Sequence, residues 1–327
     1  MKTSAPQLSL KHVRLLLARA IADERVSGFE VLAGGLINTN LKIHFVSGRT
    51  PVVLRLYRDG ADVCRKEIAI LRLVGPNLRV PAVIFAEPDG LEGSGAFAVF
   101  DYVSGITFQS LKRTNHLNSI QQAATSVGRT LAEIGRYEFR KAGRLVVSAG
   151  SEYLDVGPDY VEGPDPIPSI LDSFLSSPIL QERLGISLIQ RLHDFVWSWA
   201  PQLPDLSGER RLVHCDFGNR NILVCEERGE WSVAAVLDWE FAFSGSPLLD
   251  VGHFMRYERK GAPLLEPCFS RAYVEHGGKL PDGWREIVRV IDLTGIVECF
   301  THADLPIDVE AELLGLIAAT LEDRDPK

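Results

Sequence analysis

Within "LVHCDFGNRNILV", residues 212 to 224, His214, Cys215, Asp216, Asn219 and Asn221 stand between two apolar flanks. Hydrogen-bonding and acid–base groups placed this way suit a metal site, a polar turn or a catalytic loop. A zinc site needs three or four imidazole or thiolate ligands at recognisable spacing. His214 and Cys215 are neighbours whose side chains would diverge on a strand, and the chain has no C-x-x-C or H-x-x-x-H. A polar turn would explain the stretch alone, because Asn, Asp and Gly are common turn residues. It does not explain a second acidic cluster, "VLDWE", one β-hairpin later. A hairpin brings its ends together, so Asp216, Asn221 and Asp238 are expected to meet at one edge. Two carboxylates and an amide oxygen form a hard-oxygen set suited to Mg²⁺, which keeps waters and takes substrate phosphates.

The elements that must position these groups can be read from hydrophobic period and turn residues. "LKHVRLLLARAIADERV" predicts an amphipathic N-terminal helix rather than a signal peptide, since Arg19 interrupts its apolar run. "FEVLAGG", "TNLKIHFVSG" and "TPVVLRLY" predict three strands, the first two joined through Gly34-Gly35. "DVCRKEIAILRLVG" has helical spacing of Ile68, Leu71 and Val74 and stops at Gly75-Pro76. Two further strands, in "PAVIFAEPDG" and "GAFAVFDYV", precede a break near Ser104-Gly105. Beyond it helices dominate, notably in "NSIQQAATSVGRTLAEIGRYEF" and "LIQRLHDFVWSWA", with a hairpin formed by "RNILVC" and "SVAAVLDW". The expected organisation is α+β, with a first unit over 1–103 and a second over 104–327.

Residues 145–180 stand apart. They carry Pro158, Pro164, Pro166, Pro168 and Pro178, and six acids with no Lys or Arg. A long Pro-rich stretch in a compact protein is functional or poorly ordered, and its pattern predicts no regular structure. Its acids, Asp155 and Asp159 above all, suggest an acceptor cleft favouring a cationic substrate; a solvated acidic loop is the alternative.

The 327 residues carry a net charge of −8, which argues against a general nucleic-acid binder because phosphate neutralisation needs clustered Lys and Arg. Five scattered cysteines fit reduced thiols in a cytoplasm better than a disulfide framework. No apolar stretch is long enough to cross a bilayer.

His-x-Asp with an Asn five residues after the Asp, and then Leu-Asp-Trp-Glu, resembles the aminoglycoside phosphotransferase and choline kinase-like family. The resemblance continues backward in consistent order through "LAGGLINTNLKI", "VVLRLY" and "AVFDYVSG", and forward to "PLLDVGHF". It implies a two-lobed protein kinase-like fold, with a small β-rich N-lobe that binds nucleotide and a larger, mainly helical C-lobe. It also implies ATP as phosphoryl donor, with GTP as the alternative, Mg²⁺ as cofactor, and a small hydroxyl compound as acceptor.

By the same resemblance, Asp216 is the catalytic residue, accepting or orienting the acceptor's proton, and Asn221 and Asp238 hold the metal. Gly34, Gly35 and Asn38 form the glycine-rich turn; Ile37 stands where relatives commonly carry Ser. Arg55 takes the place of the family's strand-three lysine, paired with Glu67. Phe100, the Asp101 carbonyl and the Val103 amide are implied at the adenine. His214 and Asp250 brace the catalytic loop, and Arg220 either assists the transferring phosphoryl group or pairs with an acid. Asp238 is followed by Trp239-Glu240 where a protein kinase's metal-binding Asp is followed by Phe-Gly, and eleven residues between Asp238 and Asp250 leave no room for a protein kinase's activation segment. The alternatives are a nucleotide-binding module without turnover, for which Arg55 is the best argument, and a kinase acting on protein hydroxyls. The sequence leaves the acceptor's identity and the oligomeric state open, and implies neither a nucleic-acid nor a membrane partner.

Overall fold

The computed structural model describes residues 9–32, 38–91, 94–147, 151, 153–157, 166–206, 208–258, 264–302 and 305–322. After helix α1 (Leu10–Leu17) come strands β1 (Val26–Val31), β2 (Thr39–Phe45) and β3 (Val52–Leu56), helix α2 (Ala61–Val74), then β4 (Val83–Glu87) and β5 (Phe97–Asp101). The five strands form one antiparallel sheet in the order β1-β2-β3-β5-β4.

Period-two alternation gives this sheet two apolar faces. Leu41, Ile43, Leu54, Phe97 and Val99 pack with Val13, Leu16 and Leu17 of α1. Ala98 and Phe100, pointing the other way, join Ile68, Leu71 and Val74 of α2 in the larger core. That core continues into the C-terminal part of the chain, so α2 is buried between the sheet and the second unit.

Past β5, the short strand β6 (Ile106–Thr107) leads into α3 (Phe108–Arg113) and α4 (Leu117–Ile134). The chain continues through β7 (Gly143–Val147), β8 (Leu154–Val156), α5 (Pro166–Leu175), α6 (Pro178–Trp199) and β9 (Arg211–Val213). Next come the hairpin β10 (Ile222–Glu227) and β11 (Glu230–Val236), then β12 (Phe243–Gly245), α7 (Leu248–Met255), α8 (Glu266–Glu275), α9 (Trp284–Cys299) and α10 (Ile307–Glu322). β6 pairs with the hairpin, and β8-β7-β12-β9 form a second small sheet. Helices pack closely where glycine allows it: a Cβ on Gly252 of α7 would sit 2.6 Å from the Val288 carbonyl oxygen of α9.

Residues 145–180 are more regular than their composition suggests. They hold the end of β7, all of β8 and α5, and the start of α6. The prolines do not oppose this, because Pro166 and Pro168 fall in the first turn of α5 and Pro178 opens α6. A first-turn proline lacks only an N–H that would have no helical partner anyway. Gly185, with a φ of 72°, kinks α6 between two helical stretches. Among the described residues, no helix is long and apolar enough to cross a membrane.

Candidate active site

The β10–β11 hairpin sets the geometry. Its loop is Arg228-Gly229, both with positive φ (57° and 84°), as a two-residue type I′ turn requires. Ile222 pairs with Val236, and the Leu237 amide donates to the Asn221 carbonyl at 2.8 Å. Asn221 and Asp238 are thereby brought side by side.

The loop before β10 is held from two sides. The fully buried His214 donates from Nε2 to the Leu237 carbonyl (2.9 Å) and accepts at Nδ1 from the Asp216 amide (3.2 Å). Those bonds fix a neutral imidazole, and burial pushes its pKa down to about 4. Asp250, also fully buried, accepts from the His214 and Cys215 amides at 2.7 and 2.8 Å. Cys215 has a φ of 67°, sparsely populated for a residue with a Cβ, and the Asp250 clamp holds it there.

Asp216 comes directly after this turn. Its Oδ2 accepts from Asn221 Nδ2 at 2.6 Å, and its Oδ1 lies 3.4 Å from Nε2 of His253 on α7. Burial, then the charge of Asp238, pushes the Asp216 carboxyl up to about 7. The amide orientation leaves the Asn221 carbonyl oxygen free of that contact.

Arg55 of β3 sits opposite. It pairs with Glu67 of α2 (3.3 Å), with Asp238, and with Glu240 (3.5 Å). Glu67 also accepts from Tyr57 Oη (2.6 Å) and the Trp239 amide (3.1 Å). Burial raises the Glu67 pKa against the pull of Arg55, and burial with Asp238 lifts Glu240 to about 7. One guanidinium thus faces three carboxylates in a largely buried cluster. Arg55 Nε is buried with no partner.

Asn38 donates to Glu240 Oε2 at 2.7 Å and accepts from the Arg58 amide at 3.1 Å, tying the start of β2 to the acidic cluster. Gly34, Gly35 and Ile37 lie outside the described residues. Phe100 is buried at the end of β5, and neither it, Asp101 nor Val103 lines the main cleft. The Asp101 carboxylate accepts from the Ala82 amide. Three groups that sequence reasoning passed over belong to the site: Tyr57, Glu240 and His253. Glu240 could have been found, as the last residue of "LDWE"; His253 sits one helical turn from Asp250, but nothing in the sequence says which loop that turn meets.

The cleft has a volume of about 1660 Å³ and is lined by Asp216, Asn221, Asp238, Glu240, Arg220 and His253 on its reactive side. Among the described residues, no three His, Cys, Asp or Glu side chains converge as a metal cluster. Of the acids in 145–180, Asp155 is exposed and paired with Arg140 (2.8 Å), while Asp172 accepts from Trp197 Nε1 (2.8 Å). Neither lines the cleft; Ile167, Ile170 and Phe174 of α5 do. Asp159 lies outside the described residues.

The fold and this geometry define a class. The chain belongs to the phosphotransferase enzyme family, whose model matches residues 28–287. A solved structure of a thermostable mutant of aminoglycoside phosphotransferase APH(4)-Ia, in ternary complex with AMP-PNP and hygromycin B, is similar with a TM-score of 0.67. The two share 20% identity over 96% of this chain and 99% of that one. A putative fructosamine-3-kinase from Thermobifida fusca gives a TM-score of 0.64 at 15% identity, covering 96% of this chain and all (100%) of that one. The GDP and kanamycin complex of APH(2")-IIia gives 0.63 at 15% identity, over 96% and 99%. The shared fold is the α+β, two-lobed, protein kinase-like one expected from the motifs. Acyl-CoA dehydrogenase family member 11 from Homo sapiens, and the same protein from Pongo abelii, are 39% identical over 69 residues, or 21% of this chain. That match spans 8% of the length of those curated relatives.

Proposed function

We propose that the protein is a Mg²⁺- and ATP-dependent kinase of a small hydroxyl compound, with GTP the alternative donor. The observation that carries this reading is the convergence of Asp216, Asn221 and Asp238 at one end of the hairpin, facing Arg55. In it, residues 1–103 form the nucleotide-binding lobe and 104–327 the catalytic and acceptor lobe. Similar structures hold AMP-PNP and GDP, which supports a nucleotide donor. The free state of all five cysteines supports a reducing, cytoplasmic setting.

The residues fit the groups the reaction needs. Glu67, Asp238 and Glu240 crowd around Arg55, with the buried Lys66 also close to Glu67 and Glu240. Burial together with mutual repulsion raises the pKa of Glu67 and Glu240, and a divalent cation beside Asp238 would relieve that crowding of acids. Asn221 and Asp238 would hold it; when bound, it neutralises charge on the nucleotide phosphates. The unpartnered Arg55 Nε suits a phosphate oxygen, and Glu67 steadies the guanidinium.

Phosphoryl transfer asks a protein mainly for position and charge neutralisation. The Asp216 carboxylate takes the proton of the acceptor hydroxyl as its oxygen bonds to the γ-phosphorus. The bond from that phosphorus to the bridging oxygen breaks, and the nucleoside diphosphate leaves. Asn221 and His253 fix the two carboxylate oxygens. His214, neutral and committed at both nitrogens, is a strut of the loop, and Asp250 is its brace.

The test is thermal melting with nucleotide. Mg²⁺-ATP at about 100 times its dissociation constant should stabilise the protein by roughly 2.7 kcal/mol, with most of the gain lost when Mg²⁺ is omitted. No shift with millimolar Mg²⁺-ATP or Mg²⁺-GTP would overturn both this reading and that of a nucleotide-binding module.

A further inference from the structure

The half of the cleft beyond Asp216 differs in character from the half around Asp238 and Glu240. Its wall is built by three helices. α5 presents Ile170 and Phe174, α10 presents Val309 and Leu313, and Ile291 of α9 lies between. Each of the first two pairs is spaced i, i+4, so it shares one helix face. Ile170, Phe174 and Val309 are only half-buried, which leaves hydrocarbon open to the cleft. An apolar wall with few polar groups is the usual lining of a small-molecule site.

Charge points the same way. Among the described residues, Lys and Arg side chains line the cleft in the same number as Asp and Glu, eight of each. Most of the carboxylates are already committed. Arg256 takes both oxygens of Asp292 (2.7 and 2.8 Å), Arg55 takes Asp238 and Glu240, and Arg211 lies 3.8 Å from Glu209. Along this wall Glu312 faces the Tyr257 hydroxyl, whose pKa burial and then Glu312 raise, and burial raises the Glu298 pKa. A ligand with several ammonium groups would find little to pair with there and would lose hydration against hydrocarbon.

We infer that the acceptor is an alcohol whose larger part is hydrocarbon, seated on the α5–α9–α10 wall with its hydroxyl toward Asp216, rather than a polycation. This rests on the kinase reading for the role of the hydroxyl, but the wall itself does not depend on nucleotide.

Titration calorimetry with 1,2-alkanediols of four to ten carbons tests it, run with and without Mg²⁺-AMP-PNP, with kanamycin as the polycationic comparison. Affinity should rise about fourfold per methylene until the wall is covered, and the longest diols should bind tighter than kanamycin. Phe174→Asn should flatten that dependence, as should Val309→Asn on a different helix, while Phe174→Leu should keep it. Affinity independent of chain length, or kanamycin binding tighter than every diol, would overturn the inference. If Mg²⁺-AMP-PNP fails to bind but the chain-length dependence stands, the kinase reading fails and the apolar site survives. If nucleotide binds and the dependence is absent, only the acceptor class is wrong.

Discussion

His253 on α7 places Nε2 3.4 Å from Oδ1 of Asp216, while Asn221 holds Oδ2 through a 2.6 Å hydrogen bond. Both oxygens of the proposed proton acceptor are therefore positioned by side chains from separate elements. Misplacing a reacting group by about 1 Å can cost roughly 10²-fold in rate. His253→Ala should lower kcat by about 10- to 100-fold on that basis and leave the KM for nucleotide close to wild type. His253→Gln, which keeps a polar atom there, should recover much of the loss. Steady-state kinetics of the two variants decide it; equal kcat in wild type and His253→Ala would remove the positioning role.

Among the described residues, Arg55 is the cation set against Glu67, Asp238 and Glu240 together. Removing one partner of a buried ion pair leaves uncompensated charge and costs about 3–5 kcal/mol. Arg55→Met should show a loss of that order in urea unfolding. Arg55→Lys keeps the charge but not the planar fork, so its loss should be smaller. An unchanged midpoint for Arg55→Met would mean the carboxylates are neutralised by other means.

Asp216 and Glu240 are both pushed up to about 7 by burial and by Asp238. Near neutral pH each is partly protonated in the free protein. A divalent cation favours the ionised form, so its binding should expel protons. The apparent affinity for Mg²⁺-ADP should rise as pH increases through 7 and level off once both groups are ionised. Calorimetry at pH 7 in buffers of different ionisation enthalpy should register proton release. No release, with affinity flat across this range, would contradict the assigned electrostatics.

Much of this site could be read from residue order. "HCDFGNRN" and "LDWE" named Asp216, Asn221 and Asp238, and the hairpin between them required proximity because Arg228-Gly229 closes it in two residues. The strand pattern gave the five-stranded sheet, since alternation in "TNLKIHF" and "VVLRL" states which side chains face inward. Residues 166–178 were harder: prolines read as breakers are helix starters at the first turn, and sequence alone does not show which position each occupies. His253 and Tyr57 were missed because their contacts are purely tertiary. Of the acids in 145–180, Asp155 and Asp172 find partners in Arg140 and Trp197 and the cleft receives the apolar face of α5, which composition does not reveal; Asp159 lies outside the described residues.

In the proposed mechanism Asp216 acts on the acceptor and Asp238 on the metal, and two nearly isosteric variants separate these roles. With an acceptor that wild type phosphorylates, nucleoside diphosphate release and nucleotide affinity should be measured for Asp216→Asn and Asp238→Asn. Asp216→Asn should lose about 10²- to 10⁴-fold in turnover, the usual worth of a positioned general base, with Mg²⁺-nucleotide affinity little changed. Asp238→Asn should lose turnover and Mg²⁺-nucleotide affinity together. Turnover by Asp216→Asn equal to wild type would mean that Asp216 is not the proton acceptor.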